Sequence, residues 1–141
     1  MNKLTVKDAD RLDALKETFA TKWAELDAAV TNHNDASTYA DRLLLNPAVV
    51  DAMTAYVTAH NSLREFCDDM RTAMGDYFEN KSERWQSGTR GQRYHAWMDK
   101  FEAVAQSATP SMDNTSEEDL LDMPEDITSD VDELSSEQDD D

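Results

Sequence analysis

The chain has little of what interrupts a helix or staples a small fold. Among 141 residues there are 3 Gly, 3 Pro and 1 Cys. So few glycines and prolines leave few points where a regular backbone has to break, which favours long helices. The lone Cys67 cannot form an internal disulfide or a thiolate metal cage, so a disulfide-stapled secreted domain and a zinc ribbon are excluded. Long apolar runs are missing too. No window approaches the roughly 20 apolar residues of a membrane span, and Met1–Asp10 lacks the continuous apolar stretch of an export signal. The expectation is a cytoplasmic protein, in the host cytoplasm if phage-encoded, with no membrane partner.

Basic residues are absent beyond Ser107. The chain holds 31 acidic against 13 basic side chains, a formal net charge of −18. Residues 1–107 carry all 13 cations and 17 acids, which leaves that body 4 units negative, while residues 108–141 carry the other 14 acids. The composition therefore divides the chain into a helical domain, 1–107, and an acidic tail, 108–141. The tail has too little apolar area to offset roughly 1–2 kcal/mol of backbone entropy per residue, so it is expected to be disordered when free.

What is present in the body is helical periodicity. Ala9, Leu12, Leu15, Phe19, Trp23, Leu26 and Val30 recur every three or four residues, placing a helix at about 6–33. Thr5 with Asp8 has the form of a capping box at its start. Thr38 with Asp41 repeats that form before a short helix, 39–45. Asn46-Pro47 then predicts a new start, because Asn caps well and Pro suits a first helical position. The long helix that follows, about 47–80, has the strongest regularity. Val49, Met53, Tyr56, His60, Leu63, Cys67, Met70, Met74 and Tyr77 alternate steps of four and three, the seam of a left-handed supercoil. Ser82, Ser87 and Gly88 predict a turn. Thr89 with Gln92 reads as a cap for a last helix through Tyr94, Trp97, Phe101 and Val104. The fold class is then all-α: an antiparallel helical hairpin or small three- to four-helix bundle.

Catalytic signatures do not emerge. There is no phosphate-cradling glycine loop, no nucleophile elbow, and no Glu-x-x-His or His-x-x-x-His pair. His95 and Asp99 lie four apart, but two ligands without a third make a poor metal site. His33 and His60 read as structural, Cys67 as a small core residue, and Asp68-Asp69 as a solvated face. The reading is a non-enzyme with no cofactor, no metal and no small-molecule substrate.

Three residue sets remain as interaction candidates. In the first, Lys81, Arg84, Arg90 and Arg93 interleave with Trp85, Tyr94 and Trp97, the composition of a phosphate-binding and base-stacking corner. A simpler reading packs the tryptophans together and leaves the cations as decoration. Ser82-Glu83-Arg84-Trp85-Gln86, followed by Gly91, Tyr94 and Trp97, resembles a corner recurring in small helical proteins of unassigned function from bacteria, their phages and plasmids. The resemblance covers about 20 of the 141 residues. It implies a helical corner and a microbial or mobile-element origin.

The second set is the tail segment Glu117, Glu118, Asp119, Leu120, Leu121, Asp122, Met123, Glu125, Asp126 and Ile127. Its carboxylates can compete for a positively charged groove as phosphates do, and its apolar side chains can fold onto a partner. Ser116 to Asp119 would cap a short helix there. The third set, Met53, Tyr56, Leu63, Met70 and Met74, is a stripe that would continue into a homodimer.

The expected function is that of an interaction protein, of phage or mobile-element kind. It would bind or inhibit a basic, nucleic-acid-handling host protein through acidic surfaces that imitate DNA. The alternatives are an oligomeric scaffolding or assembly factor built on the long-helix seam, and a nucleic-acid binder using the 81–97 corner with an autoinhibitory tail.

Overall fold

The computed structural model describes residues 3–112, 114–115 and 120–138. The fold class is all-α, a helical bundle. Helix α1 spans Val6–Asp35, α2 Tyr39–Glu79, α3 Glu83–Ser87 and α4 Thr89–Ala105. Two short strands, β1 (Asn114–Thr115) and β2 (Leu120–Leu121), pair antiparallel, and α5 covers Thr128–Asp132. The chain forms two compact units. The first comprises Met1–Lys16, Ser62–Ser107 and Ile127–Asp141, and the second Glu17–Asn61 and Ala108–Asp126. Each unit takes in part of the tail.

In the first unit the core is built from one face of each element. The start of α1 buries Leu12 and Leu15, α2 buries Leu63, Phe66, Cys67 and Met74, and α4 buries Tyr94, Trp97, Phe101 and Val104. Aromatic rings link α2 to α4. Tyr77 stacks at a tilt 5.1 Å from Tyr94, Tyr94 meets Trp97 edge-on at 5.6 Å, and Trp97 meets Phe101 edge-on at 6.0 Å. Such tilted and edge-on pairs suit the ring quadrupoles.

Composition predicts no order in the tail, yet over 127–137 its apolar side chains have partners. Ile127, Val131 and Leu134, spaced four and three apart, are buried in the first unit. Polar anchors hold the same stretch. The Lys16 ammonium donates to the Leu134 carbonyl at 2.7 Å, the Trp97 indole N–H to the Ser135 carbonyl at 3.0 Å, and the Leu4 amide to the Ser136 carbonyl at 2.7 Å. Lys3 and Glu137 form an isolated antiparallel bridge.

The second unit is centred on Tyr56, fully buried between Phe19 (ring centroids 5.3 Å) and Trp23 (5.4 Å). Phe19 also reaches His60 at 6.4 Å, so advancing along α1 means retreating along α2, an antiparallel pairing. Leu26, Val30 and Val49 complete this core.

Several boundaries differ from those the sequence predicts. The helices expected at 39–45 and 47–80 are one, α2, with Pro47 inside it. Proline leaves the Leu43 carbonyl without its amide donor, but one missing bond is outweighed when the helix on both sides has a face to bury. The hydroxyl half of each box expected at Thr5 and Thr38 is in place, each hydroxyl accepting from the amide three residues on at 3.1 Å.

At the third corner the expected turn contains α3, whose cap Ser82 accepts the Trp85 amide at 3.2 Å. The N-cap of α4 is Gly88 rather than Thr89, and Gln92 reaches the Ser87 carbonyl instead of closing a box. Gly91 has a packing role. It is buried in the first turn of α4, where an added Cβ would lie 2.6 Å from the Gln86 Cα and closer still to the Trp85 and Gln86 carbonyls. Only glycine lets α3 and α4 approach this closely.

Candidate functional site

The basic corner is first used for packing. Tyr94 and Trp97 are buried, and Trp85 is half-buried, T-shaped against Tyr77 at 6.2 Å and Phe78 at 5.9 Å. Lys81 lies over the Tyr77 ring at 4.6 Å and near the Trp85 ring at 5.6 Å. The Gln86 amide holds the corner closed by donating to the Phe78 and Lys81 carbonyls at 2.9 and 3.0 Å. Arg84, Arg90 and Arg93 remain exposed. Of the three rings, Tyr94 and Trp97 are used in packing, because rings at helical spacing gain more from mutual burial than from exposure, while Trp85 keeps part of its surface open.

The proposed dimer stripe is likewise largely internal. Tyr56, Leu63 and Met74 are fully buried in their own chain, and only Met53 and Met70 keep partial exposure. Burial pushes the Cys67 thiol up to about 12, so at neutral pH it carries no thiolate and is a poor nucleophile. His60 is buried between Phe19 and Tyr56. His95 meets the Asp99 carboxylate at 3.1 Å on an exposed face.

Within the tail set, Glu117, Glu118 and Asp119, with the helix cap read at Ser116 to Asp119, lie outside the described residues. Leu120 and Leu121 are in β2, Asp122, Glu125 and Asp126 are exposed, Met123 is partly covered, and Ile127 belongs to the first unit's core.

Asn34, near the end of α1, secures this segment. The Asn34 amide donates to the Leu121 carbonyl at 2.8 Å while its oxygen accepts the Leu121 amide at 3.0 Å, so one side chain imitates a neighbouring strand. That pairing fixes which way the amide points. The buried His33 ring, 2.9 Å from the same oxygen, must then donate through Nδ1. Asparagine at a helix end is the available signal, but its partner is 87 residues away.

The second unit also holds an apolar groove of 460 Å³, lined by Val49, Val50, Met53 and Val57 of α2 with Met112 and Leu121, and edged by Asn46, Thr54 and Thr58. The Thr54 and Thr58 hydroxyls donate back to the Val50 and Thr54 carbonyls at 2.9 and 3.0 Å, so neither needs a partner in the groove. On the same half of α2, Val50 is 61% exposed and Leu44 79%. Grooves of this size and lining are typical of ligand and peptide sites.

No family model, curated protein or solved structure matches this chain. Among the described residues no group of three His, Cys, Asp or Glu side chains is placed to hold a metal ion. No described helix is long and apolar enough to cross a membrane.

Proposed function

We propose that this chain is a non-enzymatic interaction protein, of phage or mobile-element kind, that binds or inhibits a basic nucleic-acid-handling protein by presenting carboxylates where DNA would present phosphates. The observation that carries this reading is the way the tail docks. Ile127, Val131 and Leu134 turn inward while Asp130, Asp132, Glu133 and Glu137 stay exposed. An anionic array held on a packed segment loses less conformational entropy on binding than a free ribbon of the same charge. It also presents a defined field to a positive surface.

The other readings have weaker support. A scaffold built on the long-helix seam would need Tyr56, Leu63 and Met74 at the surface. Nucleic-acid stacking at the 81–97 corner would rest on Trp85 alone, since Tyr94 and Trp97 are buried.

The test keeps the tail in place, since truncation removes core side chains along with charges. The full chain is compared with Asp130→Asn, Asp132→Asn, Glu133→Gln and Glu137→Gln combined. Immobilised wild-type chain should retain basic proteins from a bacterial lysate and release them to salt and to duplex DNA. The neutralised variant should retain at least tenfold less. Retention indifferent to salt and to duplex DNA rejects charge imitation.

A further inference from the structure

We infer that the groove on α2 binds a basic amphipathic helix, one whose apolar stripe is flanked by Lys or Arg. This rests on the proposed reading of the chain as a binder of basic proteins and adds, on the second unit, a contact surface of its own to the carboxylates of 130–137. Three observations converge on one face of the second unit.

The first is period. Tyr39, Leu43, Asn46, Val50, Met53 and Val57 are spaced four, three, four, three, four along α2. This second heptad stripe adjoins the buried seam through Tyr56 and Leu63 and shares Met53 with it. The buried seam is covered by the chain itself, whereas Tyr39, Leu43 and Val50 of the second stripe stand 56%, 47% and 61% exposed. A stripe with this repeat keeps a partner helix in contact along its length, about 27 Å for these 18 residue steps.

The second is shape. The stripe does not lie on a flat surface. From Asn46 onward it forms the floor of the 460 Å³ groove, with Met112 and Leu121 contributing to the lining. Asn34 fixes the Leu121 backbone by two hydrogen bonds, so this part of the lining is built in.

The third is charge, which selects the occupant. The stretches making up the second unit hold thirteen acidic residues against only Lys22 and Arg42, a net charge of −11 out of −18. Asp51 beside Val50 and Asp122 beside Leu121 are exposed next to lining residues. A second copy would bring two such units face to face, and DNA, RNA and anionic lipid surfaces are repelled in the same way. Apolar side chains flanked by cations satisfy both groove and surroundings, the arrangement of helix-in-groove recognition.

The experiment titrates the full chain into three fluorescent peptides of about five helical turns. One is a Leu/Lys helix with Leu at heptad positions, the second a scrambled Leu/Lys sequence of equal composition, and the third a Leu/Gln helix with the same Leu positions. The amphipathic Leu/Lys peptide should bind at least tenfold more tightly than either of the others.

The deciding variant is Val50→Glu, at an exposed position where unchanged far-UV circular dichroism confirms folding. It removes apolar contact while adding negative charge. A groove then loses affinity by about tenfold, and a purely electrostatic surface gains. Leu44→Glu, off the stripe and outside the lining, is the control and should bind no more weakly than wild type.

Equal binding of the scrambled peptide, with Val50→Glu neutral or tighter, overturns the groove while leaving an acidic binding surface intact. Absence of binding to both Leu/Lys peptides overturns the groove and the proposed function together. Preference for Leu/Gln, or a dimer of the chain by light scattering that Val50→Glu splits, overturns the basic occupant.

Discussion

The Tyr56 hydroxyl is buried without a hydrogen-bond partner among the described residues, in the middle of a ring cluster with Phe19 and Trp23. A buried hydroxyl left unpaired costs desolvation free energy that a phenyl ring does not. Tyr56→Phe should therefore raise stability at neutral pH by about 1 kcal/mol in urea denaturation. Burial, and then the Asp126 carboxylate, push the Tyr56 phenol from 10.0 up to about 12. Burial, followed by Tyr77, does the same to Tyr94. Between pH 10 and 12 the unfolded chain has released these protons and the folded chain has not. Stability present below pH 10 is then lost as pH rises, by no more than ~1.4 kcal/mol per pH unit for each tyrosine. The alkaline slope should be shallower in Tyr56→Phe, and an unchanged slope would show that this phenol does not couple to folding. Nothing in the sequence marks Tyr56 as orphaned, because a seam position reveals burial and not the partners available there.

Among the elements, the tail is the most instructive. Its fourteen acids dominate any average over composition, yet Ile127, Val131 and Leu134 keep helical spacing and find the first unit's core. Each such side chain contributes about 1.5–3 kcal/mol when buried, and a mean over 34 residues conceals three that share one face. Leu134→Ala should destabilise the protein by about 3 kcal/mol, read as a lower urea midpoint at unchanged slope. A cost below ~0.5 kcal/mol, the range of surface substitutions, would mean that the segment does not fold with the rest. The merging of two expected helices into α2 has a related cause. Asn46-Pro47 is a local start signal, but Val49 and Tyr56 beyond it and the capped turn at Thr38 before it all reward continuity. At the basic corner the caps fall at Ser82 and Gly88, not at Thr89. Ser82 caps a five-residue helix, and Gly91 is a packing requirement set by Gln86 and Trp85.

For the whole molecule the dominant quantity is a net charge of −18. Among the described residues, ion pairs lie at the surface with their members partly or fully exposed: Lys22 with Glu25 at 3.1 Å, Arg71 with Asp68 at 2.7 Å, and a longer Arg71 contact with Glu102 at 4.0 Å. Pairs of this kind stabilise by at most about 1 kcal/mol, so screening them loses little, whereas screening the general repulsion gains. Raising salt from ~0.01 M to ~0.1 M shortens the screening length from about 30 to about 10 Å. The melting temperature should rise by several degrees over that range, and a fall would mean that attractive pairs outweigh repulsion.

The sequence by itself determined the helical class, the hydroxyl caps at Thr5 and Thr38, a last long helix through Tyr94, Trp97, Phe101 and Val104, and the separation of charge. Each of these depends on interactions within one or two turns, or on a plain count. Only the tertiary structure decided which seam is covered and which is left open on α2. It also decided that Tyr94 and Trp97 are packing residues and that Asn34 grips Leu121. It alone showed that Lys16, Trp97 and Leu4 hold the chain near Leu134. The hydrogen bonds among those outcomes join residues from 38 to 132 positions apart. No local pattern encodes them, because a side chain's preference for burial is written in its own chemistry while its partner is chosen by the path of the whole chain.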